Sequence, residues 1–201
     1  MALTTTAIVK TRAGITGSGD DALIGTIVDG VSLAIANHCG RAARGTSLLE
    51  RAADRTERCD GGNEHIQLAC YPVELITSIK EASYGEFDDA TALTAETEYY
   101  LQAAAGLIWR MPTGAKWLRG RGTVQVVYTG GYLAAGETPT GDQIGMPKDL
   151  IDAATIQAVH LYRNRDRLGI DTISAGGASL SVTRADLLPI VKQYIAPYRR
   201  W

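Results

Sequence analysis

Apolar residues recur at helical spacing early in the chain and again towards its end, and at strand spacing between. Leu23, Ile24, Ile27, Val28, Val31, Ala34 and Ile35 fall three or four residues apart, which puts them on one face of a helix. Asp20 or Ser18 stands where an N-cap belongs, and Gly40 follows as a stop signal. Gly25 and Gly30 each weaken that helix by about 1 kcal/mol relative to Ala; small residues there would also admit another helix at close range. A shorter helix is predicted from Thr5 to Ala13, capped by a Thr and closed by Gly14 in the left-handed conformation.

The middle of the chain changes period. Arg55–Cys59 and Glu64–Ala69 read as two strands joined by a tight turn at Asp60-Gly61-Gly62-Asn63, and Pro72 ends the second or starts a new one. Leu75–Ala82 alternates as a strand. An acidic loop over 83–97 follows. Glu98–Gln102 and Leu107–Arg110 pair as a hairpin across Ala103-Ala104-Ala105-Gly106. Thr123–Thr129 is β-branched and stopped by Gly130-Gly131, the clearest strand of the set. Short strands in succession without intervening helices imply an antiparallel meander.

Helical spacing then returns. Pro147 suits a first turn, Asp149 complements the dipole, and Leu150, Ala154, Ala158 and Leu161 share a face running to about Leu168, with Gly169 after it. Residues 170–182 read as a flexible linker. The last helix starts at Asp186, which leaves Pro189 in the first turn where its missing N–H costs nothing, and ends at Ala196 before Pro197. The fold class expected is therefore α+β: a small bundle of about four helices with an inserted antiparallel β-meander or hairpin region. One domain spans 1–201, with N-terminal helices over 1–46, a β-rich insertion over 47–133, a helix over 147–169, and a C-terminal helix and tail over 183–201.

Composition adds exclusions. The 201 residues are 45% hydrophobic and 21% charged, which argues against a disordered chain. No apolar run approaches the roughly 18 residues needed to cross a bilayer, and the N-terminus lacks the basic and apolar regions of a signal peptide. Cys39, Cys59 and Cys70 are too few and too odd in number for a disulfide framework, so a reducing compartment is expected. Nine Tyr and three Trp stand against one Phe, a balance that suits interfaces better than deep cores.

The net charge of −2 hides an asymmetry. Residues 47–146 carry eight bases against fourteen acids, whereas 147–201 carry eight bases against five acids. Glu81, Glu86, Asp88, Asp89, Glu96 and Glu98 form an uninterrupted acidic run, and Arg110, Lys116, Arg119 and Arg121 an uninterrupted basic one. Two solvated loop faces would account for both. Electrostatic complementarity between copies of the chain is the alternative. An acidic protein is poorly suited to be a basic DNA-binding module.

Catalytic and metal chemistry finds no motif. There is no P-loop, no His-Glu-x-x-His pair and no Gly-x-Ser-x-Gly elbow. Cys39, Cys59, His65 and Cys70 match no zinc-site spacing, and the three cysteines read as buried or half-buried thiols. His38 sits near a helix C-terminus, where a cation is favoured, and His160 lies within a helix. Asp88 and Asp89 could meet a hard cation, but a solvated loop explains them. Glu64 and His65, as strand neighbours, point to opposite faces and cannot act as one acid–base pair. No nucleophile, base and anion-stabilising group assemble, which points away from an enzyme.

The order of features says more than any one motif. A short helix and an amphipathic helix ending Ala36-Asn37-His38-Cys39-Gly40-Arg41 precede Thr56-Glu57-Arg58-Cys59-Asp60-Gly61-Gly62, Tyr71-Pro72-Val73 and Ile76-Thr77-Ser78-Ile79. Val124 to Tyr132 with its Tyr-Thr-Gly-Gly-Tyr end, Met146-Pro147-Lys148-Asp149-Leu150, and Leu188-Pro189 through Ala196-Pro197-Tyr198-Arg199-Arg200 follow. In that order, over nearly the whole chain, they resemble the head–tail connector (adaptor, head-completion) family of long-tailed bacteriophages. The resemblance implies a structural protein of the virion neck, made in the host cytoplasm. It would form a ring, usually of twelve copies, beneath the portal protein of the DNA-filled capsid. That ring would extend the channel for viral double-stranded DNA, which passes without sequence-specific binding, and would dock the next neck protein, a stopper or tail terminator. No catalytic site, cofactor or membrane is implied. The family's C-terminal segment engages the portal, which maps here to Tyr194, Tyr198, Arg199, Arg200 and Trp201; Tyr and Arg are also residue types that anchor interfaces.

On this reading helices 23–39 and 150–168 form the subunit core. The acidic residues Glu81, Glu86, Asp88 and Asp89 line the channel or meet a neighbouring subunit, and Arg110, Lys116, Arg119 and Arg121 form a basic intersubunit loop. A stopper or tail-terminator subunit, a nucleic-acid-binding module, or a small enzyme whose site is not visible in sequence are the competing expectations.

Overall fold

Among the described residues, four helices and a set of antiparallel strands make up the computed structural model, an α+β fold as the sequence predicts. It describes residues 2–43, 45–83, 86–167, 172–175, 178–181 and 186–200. The chain divides into two compact units. A helical unit comprises Met1–Ser47, Ala134–Glu137 and Met146–Trp201; a sheet unit comprises Leu48–Leu133 and Thr138–Gly145.

The helical unit contains α1 (Thr6–Ala13), α2 (Asp21–His38), α3 (Lys148–Arg163) and α4 (Pro189–Ile195). The Thr5 hydroxyl accepts from the Ile8 N–H, and Gly14 closes α1 at φ 75°. Helix α2 lies on α3, and α3 on α4. Ile24, Val28, Val31 and Ile35 of α2 and Leu150, Ala154 and Ala158 of α3 are buried with Val191 and Ile195 of α4; each large aliphatic side chain so removed from water stabilises the fold by about 1.5–3 kcal/mol. Buried hydroxyls inside are paired. Ser32 accepts from the Leu3 N–H at 3.0 Å and donates to the Val28 carbonyl at 2.7 Å. Thr4 and Thr155 share a hydrogen bond of 2.8 Å. A Cβ added at Gly25 or Gly30 would meet nothing within 4 Å, so within this chain neither glycine serves close helix approach.

Three expectations here need correcting. Helix α3 stops at Arg163, where Asn164 donates to the His160 carbonyl at 2.8 Å, and a 3₁₀ turn takes Arg165–Arg167; Leu168 and Gly169 lie outside the described residues. Helix α4 starts at Pro189, not Asp186. The buried Gln157 decides that start: its amide donates to the Asp186 carbonyl at 3.1 Å and accepts from the Leu188 N–H at 2.9 Å. Proline still sits where no N–H is needed. Finally, the segment expected as a linker carries β9 (Thr172–Ala175) and β10 (Ala178–Ser181), paired antiparallel. Two two-residue strands, β1 (Ala42–Ala43) and β2 (Thr46–Ser47), also pair in this unit.

The sheet unit holds β3 (Ala52–Cys59), β4 (His65–Gln67), β5 (Val73–Glu81), β6 (Tyr99–Gln102), β7 (Leu107–Arg110) and β8 (Val124–Gly130). They form two three-stranded antiparallel sheets, ordered β3-β8-β5 and β4-β7-β6. The expected hairpin of β6 and β7 is present, with a 3₁₀ turn at Ala103–Ala105 and Gly106 at φ 63°. The expected hairpin of β3 with β4 is not: β3 pairs with β8, Cys59 opposite Val124, and β4 pairs with β7, Ile66 opposite Ile108. The strands are therefore antiparallel without following a sequential meander. Both sheets contribute to one core of Ile66, Leu68, Ile79, Ile108, Trp117, Val124, Val126 and Tyr128.

Candidate functional site

In the helical unit the C-terminal segment is fastened down. After α4 the chain makes a 3₁₀ turn over Ala196–Tyr198. The Tyr198 hydroxyl reaches both carboxylate oxygens of Asp149, at 2.6 and 2.8 Å, and the Arg200 N–H donates to the Cys39 carbonyl at 2.8 Å. A hydrogen bond to a carboxylate contributes about 1.5–3 kcal/mol, so the tail is held on the fold up to Arg200. Tyr194 is 38% exposed and Ile190 41%; Arg199 and Arg200 are exposed and Tyr198 is half-buried. Four of the five tail residues singled out by sequence thus fall on α4 and the segment fastened after it; Trp201 lies outside the described residues.

In the sheet unit the acidic residues separate into two environments. Glu81 is not part of an exposed acidic loop. It sits at the end of β5, only 16% exposed, accepts from the Leu118 N–H at 2.7 Å and pairs with Arg110 at 3.1 Å. Arg110 in turn lies over the Trp117 ring, 5.6 Å from its centre. One member of each charge run is therefore spent on the other inside a single chain. Glu86, Asp88 and Asp89 are exposed and flank Phe87, which is 5% exposed. Lys80 donates to the Phe87 carbonyl at 3.0 Å, and the Arg58 guanidinium lies 5.2 Å from the centre of its ring. The single Phe of the chain is thus the pin that holds three carboxylates outward.

Lys116, Arg119 and Arg121 are exposed. Lys116 and Arg119 line a cleft of about 510 Å³ with Gly61, Gly62, Asn63 and Trp117. The turn that builds it is tightly held: Gly61 N–H donates to the Gly120 carbonyl, Gly62 N–H to Trp117, and Trp117 N–H to Asn63, each at 3.0 Å. Trp117 is 1% exposed, and its indole N–H has no acceptor among the described residues. A buried donor left so costs about 1–3 kcal/mol.

Catalytic chemistry does not assemble around the groups considered from sequence. Cys39 is buried, and burial pushes its thiol up to about 11 despite the nearby Arg41 and Arg199 guanidinium groups. The buried Cys70 thiol points to the Gly130 carbonyl at 3.2 Å. His65 stacks on Trp109 with ring centres 4.6 Å apart. Among the described residues no three His, Cys, Asp or Glu side chains gather at metal-binding distance, and no helix is long and apolar enough to cross a membrane.

The sequence gives no warning of a buried polar network. Tyr128 is fully buried; its hydroxyl donates to Glu57 at 2.7 Å and accepts from the Cys70 N–H at 3.0 Å. Glu57 also accepts from the Ala69 N–H at 3.0 Å. Burial first, and the Glu57 charge second, hold the Tyr128 hydroxyl well above its usual range. The only signal in the sequence is a Glu in the middle of an apparent strand, which by itself reads as a solvent-facing residue.

No known family profile matches the chain, and no curated protein matches it. Solved structures do. The chain is similar to a chain in the neck of an empty GTA particle, computed with C6 symmetry, at 19% identity and TM-score 0.52, covering 98% of this chain and 89% of that one. It is similar to a chain in the virion of a native gene transfer agent (GTA) particle at 18% identity and TM-score 0.53, over 98% and 89%. A third likeness, to a chain in the neck of a native GTA particle computed with C12 symmetry, has 18% identity and TM-score 0.51 over 100% and 93%. At such identities what is shared is the fold, and it is shared across both units from end to end.

Proposed function

We propose that the chain is a structural subunit of the neck of a phage-like particle and no enzyme, and that its role is the adaptor ring beneath the portal. The observation that carries this reading is the likeness of the fold, over 98–100% of the chain, to chains from GTA particles, two of them described as neck. The order of sequence features points the same way. The chain would assemble as a ring of twelve copies, extend the DNA channel, and present its far side to the next neck protein. Tyr194, Tyr198, Arg199, Arg200 and Trp201 would meet the portal: an exposed Tyr beside two exposed Arg on an anchored segment has the chemistry of an interface anchor. Carboxylates facing the channel would repel phosphate, and weak phosphate binding suits a duplex that must slide.

Co-sedimentation with portal-bearing, DNA-filled capsids that lack neck proteins tests this. The expected result is saturation at one ring of copies per portal vertex, with DNA retained. A folded chain that fails to bind an intact portal overturns the adaptor role. Binding only to capsids that already carry an adaptor would assign it to the stopper or tail terminator.

A further inference from the structure

We infer that the acidic segment around Phe87 of one copy seats in the basic cleft between Gly61–Asn63 and Lys116–Arg119 of a second copy. The inference rests on the ring reading above and names the contact that closes the ring. A ring of more than two subunits needs heterologous interfaces, in which two different surfaces of the same chain complement each other. The sheet unit carries such a pair. Lys116, Arg119 and Arg121 have no carboxylate partner among the described residues, and neither Glu86, Asp88 nor Asp89 has a basic one there. The nearest bases to the acidic segment are already engaged, Lys80 with the Phe87 carbonyl and Arg58 over its ring. Arg110 and Glu81 neutralise each other, which leaves three bases of the one run and, beside Phe87, three acids of the other.

Within one chain no ion pair joins the two groups among the described residues. In the order β3-β8-β5 the acidic segment follows β5, with Ala92 opposite Lys80, and Phe87 at its centre reaches Arg58 of β3. The cleft is built on Gly61 and Gly62, where the chain leaves β3 at the other edge. Both surfaces are held in shape, the acidic one by the buried Phe87 and the basic one by the Gly61, Gly62 and Trp117 backbone hydrogen bonds. Two pre-shaped surfaces lose little freedom on meeting. DNA is the less suitable occupant, because residues 47–146 carry fourteen acids against eight bases and would repel a duplex.

The test is a pair of charge reversals in the full chain. One variant carries Lys116→Glu, Arg119→Glu and Arg121→Glu; the other carries Glu86→Lys, Asp88→Lys and Asp89→Lys. All six positions are exposed, where substitution changes stability little, and far-UV circular dichroism checks the fold. Self-association is followed by sedimentation velocity at low salt up to millimolar chain. The wild type is expected to associate. Each variant alone should be weaker by about a hundredfold or more, since like charges then face each other. An equimolar mixture of the two should associate again, because each variant restores the complement of the other. Wild-type association that survives both reversals overturns the cleft assignment and leaves the ring standing. A wild type and a mixture that both stay monomeric at every concentration overturn the cleft contact and the ring together. Binding of a duplex DNA fragment that the first variant loses, with self-association unchanged, assigns the cleft to nucleic acid instead.

Discussion

Replacing Tyr128 by Phe removes one oxygen from the centre of the sheet unit. That oxygen donates to Glu57 at 2.7 Å and accepts from the Cys70 N–H at 3.0 Å. Tyr128 and Cys70 are both fully buried, so no water stands ready to replace it. The Phe ring fills nearly the same space, which leaves two polar terms. A hydrogen bond to a carboxylate contributes about 1.5–3 kcal/mol, and a buried N–H left without an acceptor costs about 1–3 kcal/mol. Glu57 keeps the Ala69 N–H, which offsets part of the first. A destabilisation of about 3 kcal/mol is expected, a fall in Tm of about 6–12 °C for a chain of this length. Urea unfolding followed by tryptophan fluorescence reads it directly, since Trp109 and Trp117 both lie in this unit; the midpoint should fall with the slope unchanged. Tyr100→Phe is the control, a residue 48% exposed whose hydroxyl should be worth less than about 0.5 kcal/mol. A double-mutant cycle with Glu57→Gln should give a coupling of about 0.5–3 kcal/mol. If Tyr128→Phe and Tyr100→Phe unfold at the same midpoint, the network is not a stabilising element and the reasoning fails.

Two glycine substitutions should move stability in opposite directions. At Gly61 a Cβ would lie 1.9 Å from the Leu118 carbonyl oxygen, so Gly61→Ala should cost about 2 kcal/mol or more by urea unfolding; at Gly30, inside α2 with open space around it, Gly30→Ala should add about 0.5–1 kcal/mol. Cys39 and Cys70 are buried and Cys59 half-buried, so native alkylation with peptide mapping should modify Cys59 first. Above about pH 9 stability should fall, because the fold holds the Cys39 proton up to about 11, and the Tyr128 proton above its ordinary 10.0, while the unfolded chain releases both. Urea midpoints measured across that range check it, and a midpoint that stays level from pH 8 to 11 would contradict both assignments.

Local order was legible in the residues themselves. Thr5 and Gly14 bound α1, the three-and-four spacing from Leu23 to Ile35 marks α2, and Gly106 turns β6 into β7, all because each depends on residues within a few positions of one another. The α+β class and the antiparallel sense of the strands followed from the same local periods. Partner choice did not. Arg55–Cys59 next to a Gly-Gly turn reads as half of a hairpin, yet β3 pairs with β8, some seventy residues on, because the tertiary core buries Val124, Val126 and Tyr128 between β3 and β5. Asp186 has the chemistry of a cap, but Gln157, from another helix, takes the two backbone groups that set where α4 begins. The same division holds for the candidate surfaces. Runs of acid and base were visible as charge, whereas only the fold withdrew Glu81 and Arg110 into a mutual pair and left Lys116, Arg119, Glu86, Asp88 and Asp89 facing outward. It likewise tied Tyr198 to Asp149 and hid Glu57 beside Tyr128. Periodicity is a property of neighbouring residues; which side chains end up within three ångströms of each other is decided by packing across the chain.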